Sequence, residues 1–151
     1  MRITPFDGPV WRLVTARFAG QPTTPAAAPE GRFHHSGQAV VYASLSAEGA
    51  GVAIRRYLED GTPRMLVPMR LCAGIVVDVR GDPLASVVWQ DQRAVGRIAT
   101  TWAISDAARQ AGAQALLYSS RSRPELSHVA VFDASCLIAV GPPEPMQDLT
   151  N

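Results

Sequence analysis

Arg32 and Tyr42 are the residues of this chain whose types and spacing could hold a ligand with both phosphate and an aromatic ring. They belong to the stretch Gly31-Arg32-Phe33-His34-His35-Ser36-Gly37, followed by an apolar run ending in Tyr42 and Ser44. A planar guanidinium binds phosphate through paired N–H bonds, and a phenol at a strand end offers a flat apolar face with a polar tip. A second polar cluster, Ser119-Ser120-Arg121-Ser122-Arg123, follows the run Ala113 to Tyr118. Loops at strand ends are common places for binding groups. Each of these residues also has an ordinary reading. Arg32 can be a solvated loop arginine, Tyr42 a half-buried aromatic with its hydroxyl satisfied, and Ser119 to Arg123 a polar turn.

Other chemistries fail on spacing. There is no dinucleotide fingerprint, no P-loop and no G-x-S-x-G elbow. Glu48-Gly49-Ala50-Gly51 is glycine-rich but lacks a phosphate-loop context. His34 and His35 are adjacent, so their rings project differently, and no cysteine or acid stands near them. A metal needs several converging ligands, so no metal is expected.

The elements that must position these groups read as follows. Val10 to Arg17 is a strand or short helix, and Gln21 to Pro29 is a proline- and alanine-rich loop. Ala39 to Ser44 is a strand. Ser46 caps a helix reaching about Leu58, with Glu48 in its first turn and Ala50, Ala53, Ile54 and Tyr57 on one small-residue face. Met65 to Met69 and Gly74 to Val79 are two strands, and Leu84 to Gly96 is irregular. Thr100 or Thr101 caps a helix from Trp102 to Ala111, with an outer Asp106–Arg109 pair, and Gly112 stops it. Ala113 to Tyr118, His128 to Phe132 and Cys136 to Val140 are strands. Strands with two interleaved helices give an α+β fold, here a compact single domain over 1–151 with its core at about 10–140 and a proline-rich tail at 141–151.

Composition narrows the partners. A net charge of +1 gives no electrostatic case for nucleic acid or a membrane surface. All fourteen basic residues are arginine, which fits GC-rich coding better than any functional cause. Cys72 and Cys136 sit in apolar runs without metal spacing and are expected to be buried thiols in a reducing cytoplasm. No signal peptide is visible, and no apolar stretch nears the roughly 18 residues that a membrane span requires.

The ordered set of pieces resembles the RES-domain proteins. It comprises Arg32 after Gly31, Gly37 to Val41-Tyr42-Ala43-Ser44, the following helix, Thr101-Trp102 with Ser105-Asp106-Ala107-Ala108, and Leu117-Tyr118-Ser119-Ser120-Arg121-Ser122 before the His128–Phe132 strand. The resemblance covers about Arg12 to Phe132. It implies a fold akin to ADP-ribosyltransferases with a mixed, split β-sheet and flanking helices. It also implies NAD as substrate, and a role as the toxin of a bacterial toxin–antitoxin pair. The partner would be an antitoxin with an Xre-like DNA-binding part. Members degrade NAD or transfer ADP-ribose to a protein acceptor. Arg32 matches the family arginine and Tyr42 the tyrosine; Ser120 matches the serine, with Ser119 one position off as the fallback. Ser44 and Arg121 join the expected NAD contacts, and Arg123 could add a phosphate contact. The family glutamate falls on Ala53, a departure. Either this branch works without that carboxylate, or the residue has been lost or replaced in a toxic protein. Its absence tilts the reading slightly toward ADP-ribosyl transfer; the alternatives are an NAD-degrading toxin (glycohydrolase or phosphorylase) and a catalytically weakened or inactive NAD-binding member.

Overall fold

The structure, a computed structural model, describes residues 1–54 and 60–146. Two long strands, β1 (Ile3–Thr15) and β3 (Arg64–Asp78), form an antiparallel ribbon running from Ile3↔Val77 to Thr15↔Arg64. β1 thus begins well before Val10. The runs expected as two strands at 65–69 and 74–79 are one. Val67, Met69, Leu71 and Ala73 alternate inward without a break. Gly74 does not interrupt the strand, because the Gln114 side chain accepts its N–H at 2.9 Å.

A second lobe consists of β2 (Val41–Ser44), β5 (Ser127–Val131) and β4 (Ala115–Ser119), all antiparallel. It joins the ribbon at two places. One is the single pair Trp11↔Ser44, and the other is the parallel run Val76↔Ala115 to Asp78↔Leu117. The result is a mixed sheet in the order β1-β2-β5-β4-β3-β6, closed by β1 on β3. β6 (Leu137–Ala139) and β7 (Glu144–Pro145) pair with the second edge of β3, so the start of the proline-rich tail lies on the sheet.

Alternation along the central lobe builds two cores. Val41, Ala43, Leu117, Val129 and Val131 face the ribbon, packing with Val10, Met69 and Leu71. Leu116, Tyr118 and Ala130 face the other way, with Phe33, Val40, Val77, Ala85 and Ala108. Each large apolar side chain buried here contributes roughly 1.5–3 kcal/mol.

Helices cover the second face. In α1 (Ala47–Ile54), Ser46 Oγ accepts the Gly49 N–H at 3.0 Å. The expected continuation of this helix to Leu58, including Tyr57, lies outside the described residues. The stretch 84–96, expected to be irregular, holds a short 3-10 turn (Pro83–Ser86) and α2 (Trp89–Ala94). In α3 (Thr100–Gln110) the N-cap is Ala99, not a threonine. Gln92 takes the capping role from α2: its Oε1 accepts the Thr100 N–H and its Nε2 donates to Thr100 Oγ1, both at 2.7 Å. Asp106 and Arg109 do not pair. Asp106 accepts from His35 and Gln38, and the Arg109 guanidinium lies 4.0 Å from the Phe132 ring centre.

The cysteines depart from expectation. Cys72 is exposed and Cys136 half-buried. The pleat that sends Leu71 and Ala73 inward turns Cys72 outward. Among the described residues no helix is long and apolar enough to cross a membrane.

Candidate functional site

A cleft of about 680 Å³ lies over the seam where β1 meets β2 through one residue pair. Its floor is one face of the sheet. Trp11, Ser44, His128 and Tyr118 stand side by side in register on β1, β2, β5 and β4. One wall is the loop before β2, and the opposite wall is α1.

The loop wall is fixed by a short chain of contacts. Trp102 of α3 donates its indole N–H to the Gly31 carbonyl at 2.8 Å. Gly31 is required by space: a Cβ there would stand 2.3 Å from His34 Cε1 and 2.8 Å from the Tyr42 oxygen. That absence of a side chain lets the loop fold onto β2 and set Arg32 at the cleft. The Arg32 Nε–H donates to the Ala85 carbonyl at 2.9 Å, with its NH2 group turned to the same oxygen. The guanidinium lies over Tyr118, 4.7 Å from the ring centre. Burial lowers its pKa from the usual value, Arg121 lowers it further, and it stays a cation at neutral pH. Among the described residues no carboxylate pairs with it. A positive charge partly removed from water with no counter-ion among the described residues favours an anion in the cleft.

Tyr42 lines the same cleft, but its hydroxyl is engaged. The Ala28 carbonyl can only accept, so His34 Nε2, 2.8 Å away, carries the proton. Its Nδ1 faces the Tyr42 hydroxyl at 2.7 Å and accepts that O–H. The Tyr42 oxygen in turn accepts the Phe33 N–H at 3.0 Å. Burial, with Tyr118 close by, pushes its pKa well above the ordinary value. Tyr42 therefore offers the cleft its ring rather than a reactive oxygen.

Ser120 lines the cleft and is buried. Its oxygen accepts the Arg123 N–H at 3.2 Å, leaving its own O–H free to donate. Arg121 and Ser44 also line the cleft. Ser119 does not. The pleat turns it to the opposite face, where its oxygen accepts the Gly81 N–H at 3.1 Å. The structure thus separates the two serines and places only Ser120 with Arg32. Arg123 is spent on Glu48, at 3.0 Å, and on Glu125.

Ala50 and Ala53 both line the α1 wall. Glu48 is exposed, tied to Arg123, and is not a lining residue. Among the described residues the one carboxylate lining the cleft is Glu30, and both its oxygens lie 3.1 Å from Arg93 nitrogens. His34 and His35 are both committed to hydrogen bonds, and no group of three metal-ligating side chains occurs among the described residues.

His128 was missed by sequence reasoning. It was read only as the start of a strand, yet its ring forms part of the floor, with Nδ1 2.7 Å from Ser44 Oγ. The available signal was a lone imidazole leading an otherwise apolar strand. Trp102 was noticed for its position, but its anchoring of Gly31 is visible only in three dimensions.

Comparison with known proteins supplies the frame. A family model described as the RES domain matches residues 9–149. No curated protein matches the sequence. Among solved structures, a chain of the crystal structure of the M. tuberculosis MbcT–MbcA toxin–antitoxin complex is similar, with a TM-score of 0.65 at 14% identity. The likeness covers 96% of this chain and 84% of that one.

Proposed function

The chain belongs to the RES-domain family, and on that premise we propose that it is an NAD-using enzyme that cleaves the nicotinamide–ribose bond and transfers ADP-ribose to a protein acceptor. One observation carries this reading: a half-buried Arg32 guanidinium, without a carboxylate partner among the described residues, set over an aromatic ring in a nucleotide-sized cleft. Arg32 pairs with the diphosphate, and Arg121 adds a second cation. The Tyr42 ring borders the nicotinamide. The Ser120 hydroxyl donates to the nicotinamide ribose.

The step resembles glycoside cleavage. The C1′–N bond breaks and its electron pair neutralises the pyridinium nitrogen, so nicotinamide leaves uncharged. An oxocarbenium-like ribose remains. An acceptor side chain adds to C1′ and loses a proton to solvent or to its own protein. Ala53, not a carboxylate, lines the α1 side of the cleft; in this reading activation of water is weak and an acceptor that brings its own nucleophile is favoured. The same observation favours a second reading, in which NAD is degraded slowly or only bound.

The biological role fits the toxin of a bacterial type II toxin–antitoxin pair in the cytoplasm. Its partner is an antitoxin with an Xre-like DNA-binding part. The similar solved chain comes from a toxin–antitoxin complex. The test is incubation of the protein and a cell extract with NAD labelled in its adenylate half. Label on a protein is the expected result. Free ADP-ribose or its phosphate indicates degradation, and intact NAD indicates binding alone. Arg32→Ala is expected to abolish turnover, by at least about a hundredfold for loss of the main phosphate contact. Unchanged turnover removes Arg32 from the site.

A further inference from the structure

His128 is the one titratable side chain on the cleft floor to which the reading above gives no role. It is buried, at the centre of the in-register row Trp11, Ser44, His128 and Tyr118. Ser44 Oγ lies 2.7 Å from its Nδ1 and is itself sealed from solvent. Gly49 makes that seal, because α1 packs so closely that a Cβ at position 49 would stand 3.2 Å from Ser44 Cβ.

The hydroxyl decides the ring's tautomer. A buried O–H must donate, and among the described residues its one hydrogen-bond partner is His128 Nδ1. Orphaned buried donors are rarer and costlier than under-used acceptors. Ser44 therefore donates to Nδ1, and the proton of the imidazole sits on Nε2. That nitrogen has no protein partner among the described residues, yet it is not among the sealed, unpaired polar atoms. The space it meets is the cleft. Burial, with the Arg32 charge nearby, pushes the imidazole down to about 4, so the ring is neutral at pH 7.

We propose that His128 is a ligand-binding residue whose Nε2–H, held in one tautomer by Ser44, donates to the same phosphate-bearing part of the ligand that Arg32 holds. A neutral donor adds a directed bond without a second buried charge beside the guanidinium. Ser44 is then a positioning residue, acting through the ring.

The proposal rests on the NAD reading, and the experiment separates their failures. ADP-ribose, which has the diphosphate, and nicotinamide riboside, which lacks it, are titrated into wild type, His128→Gln, His128→Phe and Ser44→Ala. In parallel the imidazole nitrogens of the wild-type protein are followed by NMR. The expected wild-type signature is an Nε2–H tautomer whose proton moves downfield with ADP-ribose and stays in place with nicotinamide riboside. His128→Phe should weaken ADP-ribose binding about tenfold. His128→Gln, whose amide reaches the Nε2 position, should recover most of it. Ser44→Ala should leave a mixture of tautomers. The His128 proposal is overturned if wild type binds ADP-ribose while the Nε2 signal stays fixed, or if folded His128→Phe binds it as wild type does. Failure of the wild type to bind ADP-ribose at all removes the NAD reading, and this proposal with it.

Discussion

The two walls of the cleft are built on opposite plans. On the loop wall nearly every polar group is cross-linked. Trp102 holds Gly31, Glu30 holds Arg93, and Tyr42 is tied to both His34 and Phe33. His35 stacks on Trp102, 4.6 Å between ring centres, and reaches Asp106. On the α1 wall, Ala50, Val52, Ala53 and Ile54 bring no polar side chain to the cleft. Rigid, pre-satisfied polar networks favour binding with little reorganisation. An apolar wall of small residues shapes space but cannot hold a developing cation or take a proton. The difference fits recognition by the loop wall in the proposed reading, while among the described residues α1 brings no acid or base to the cleft.

The sharpest way to break the loop wall is Gly31→Ala. The added carbon would stand 2.5 Å from His34 Nδ1 and 2.8 Å from the Tyr42 oxygen, so both side chains must move and their mutual hydrogen bond is lost. Overpacking combined with broken buried hydrogen bonds costs about 3 kcal/mol, and the melting temperature should fall by about 6–12 °C. Differential scanning calorimetry measures this directly. A drop below about 2 °C means that the loop relaxes freely and that its cross-links are not what fixes Arg32.

Adding polarity to the α1 wall tests the other half. Ala53 is exposed to the cleft, and glutamate is a good helix former, so Ala53→Glu should fold. NAD consumption should rise about tenfold, a modest share of what a well-placed acid–base group supplies. Loss of nicotinamide from NAD, followed by chromatography, is the readout. A folded variant with flat or reduced turnover shows that the chemistry of this chain does not run through α1.

What was legible in the sequence follows the same division. Period-two alternation identified the central strands, and it also places Tyr42, Ser44, Tyr118 and Ser120 on a shared face. Applied one residue further, it separates Ser119 from Ser120 and turns Cys72 outward, so those two departures were within reach of the pattern. The continuity of β3 was hidden by Gly74, whose N–H is satisfied from Gln114, forty residues away. The Gln92 cap on α3 and the Trp102 bond to Gly31 join distant segments, and no local propensity encodes them. Arg32 and Tyr42 stood out by residue type and spacing and were then matched by family resemblance, which alone picked out Ala53. His128 was passed over because a histidine at a strand end carries no spacing signal until Ser44 is seen beside it.

Glu48 gives the smallest expected effect and the strictest check on the apolar wall. It is the one carboxylate within Ala47–Ile54, five residues and more than a turn before Ala53, and a side-chain rotation could bring it toward the cleft. The structure holds it outside instead, on Arg123 at 3.0 Å. Both partners are well exposed, and Arg123 has Glu125 as a second acceptor. Such solvent-screened surface pairs contribute little, and here the second acid compensates for part of the loss. Glu48→Ala should therefore leave the melting temperature within about 2 °C and NAD turnover within about twofold of wild type. A tenfold fall in turnover with unchanged stability would mean that Glu48 leaves Arg123 and serves the reaction. α1 would then be a polar wall acting through its first turn, and the contrast between the two walls would not hold.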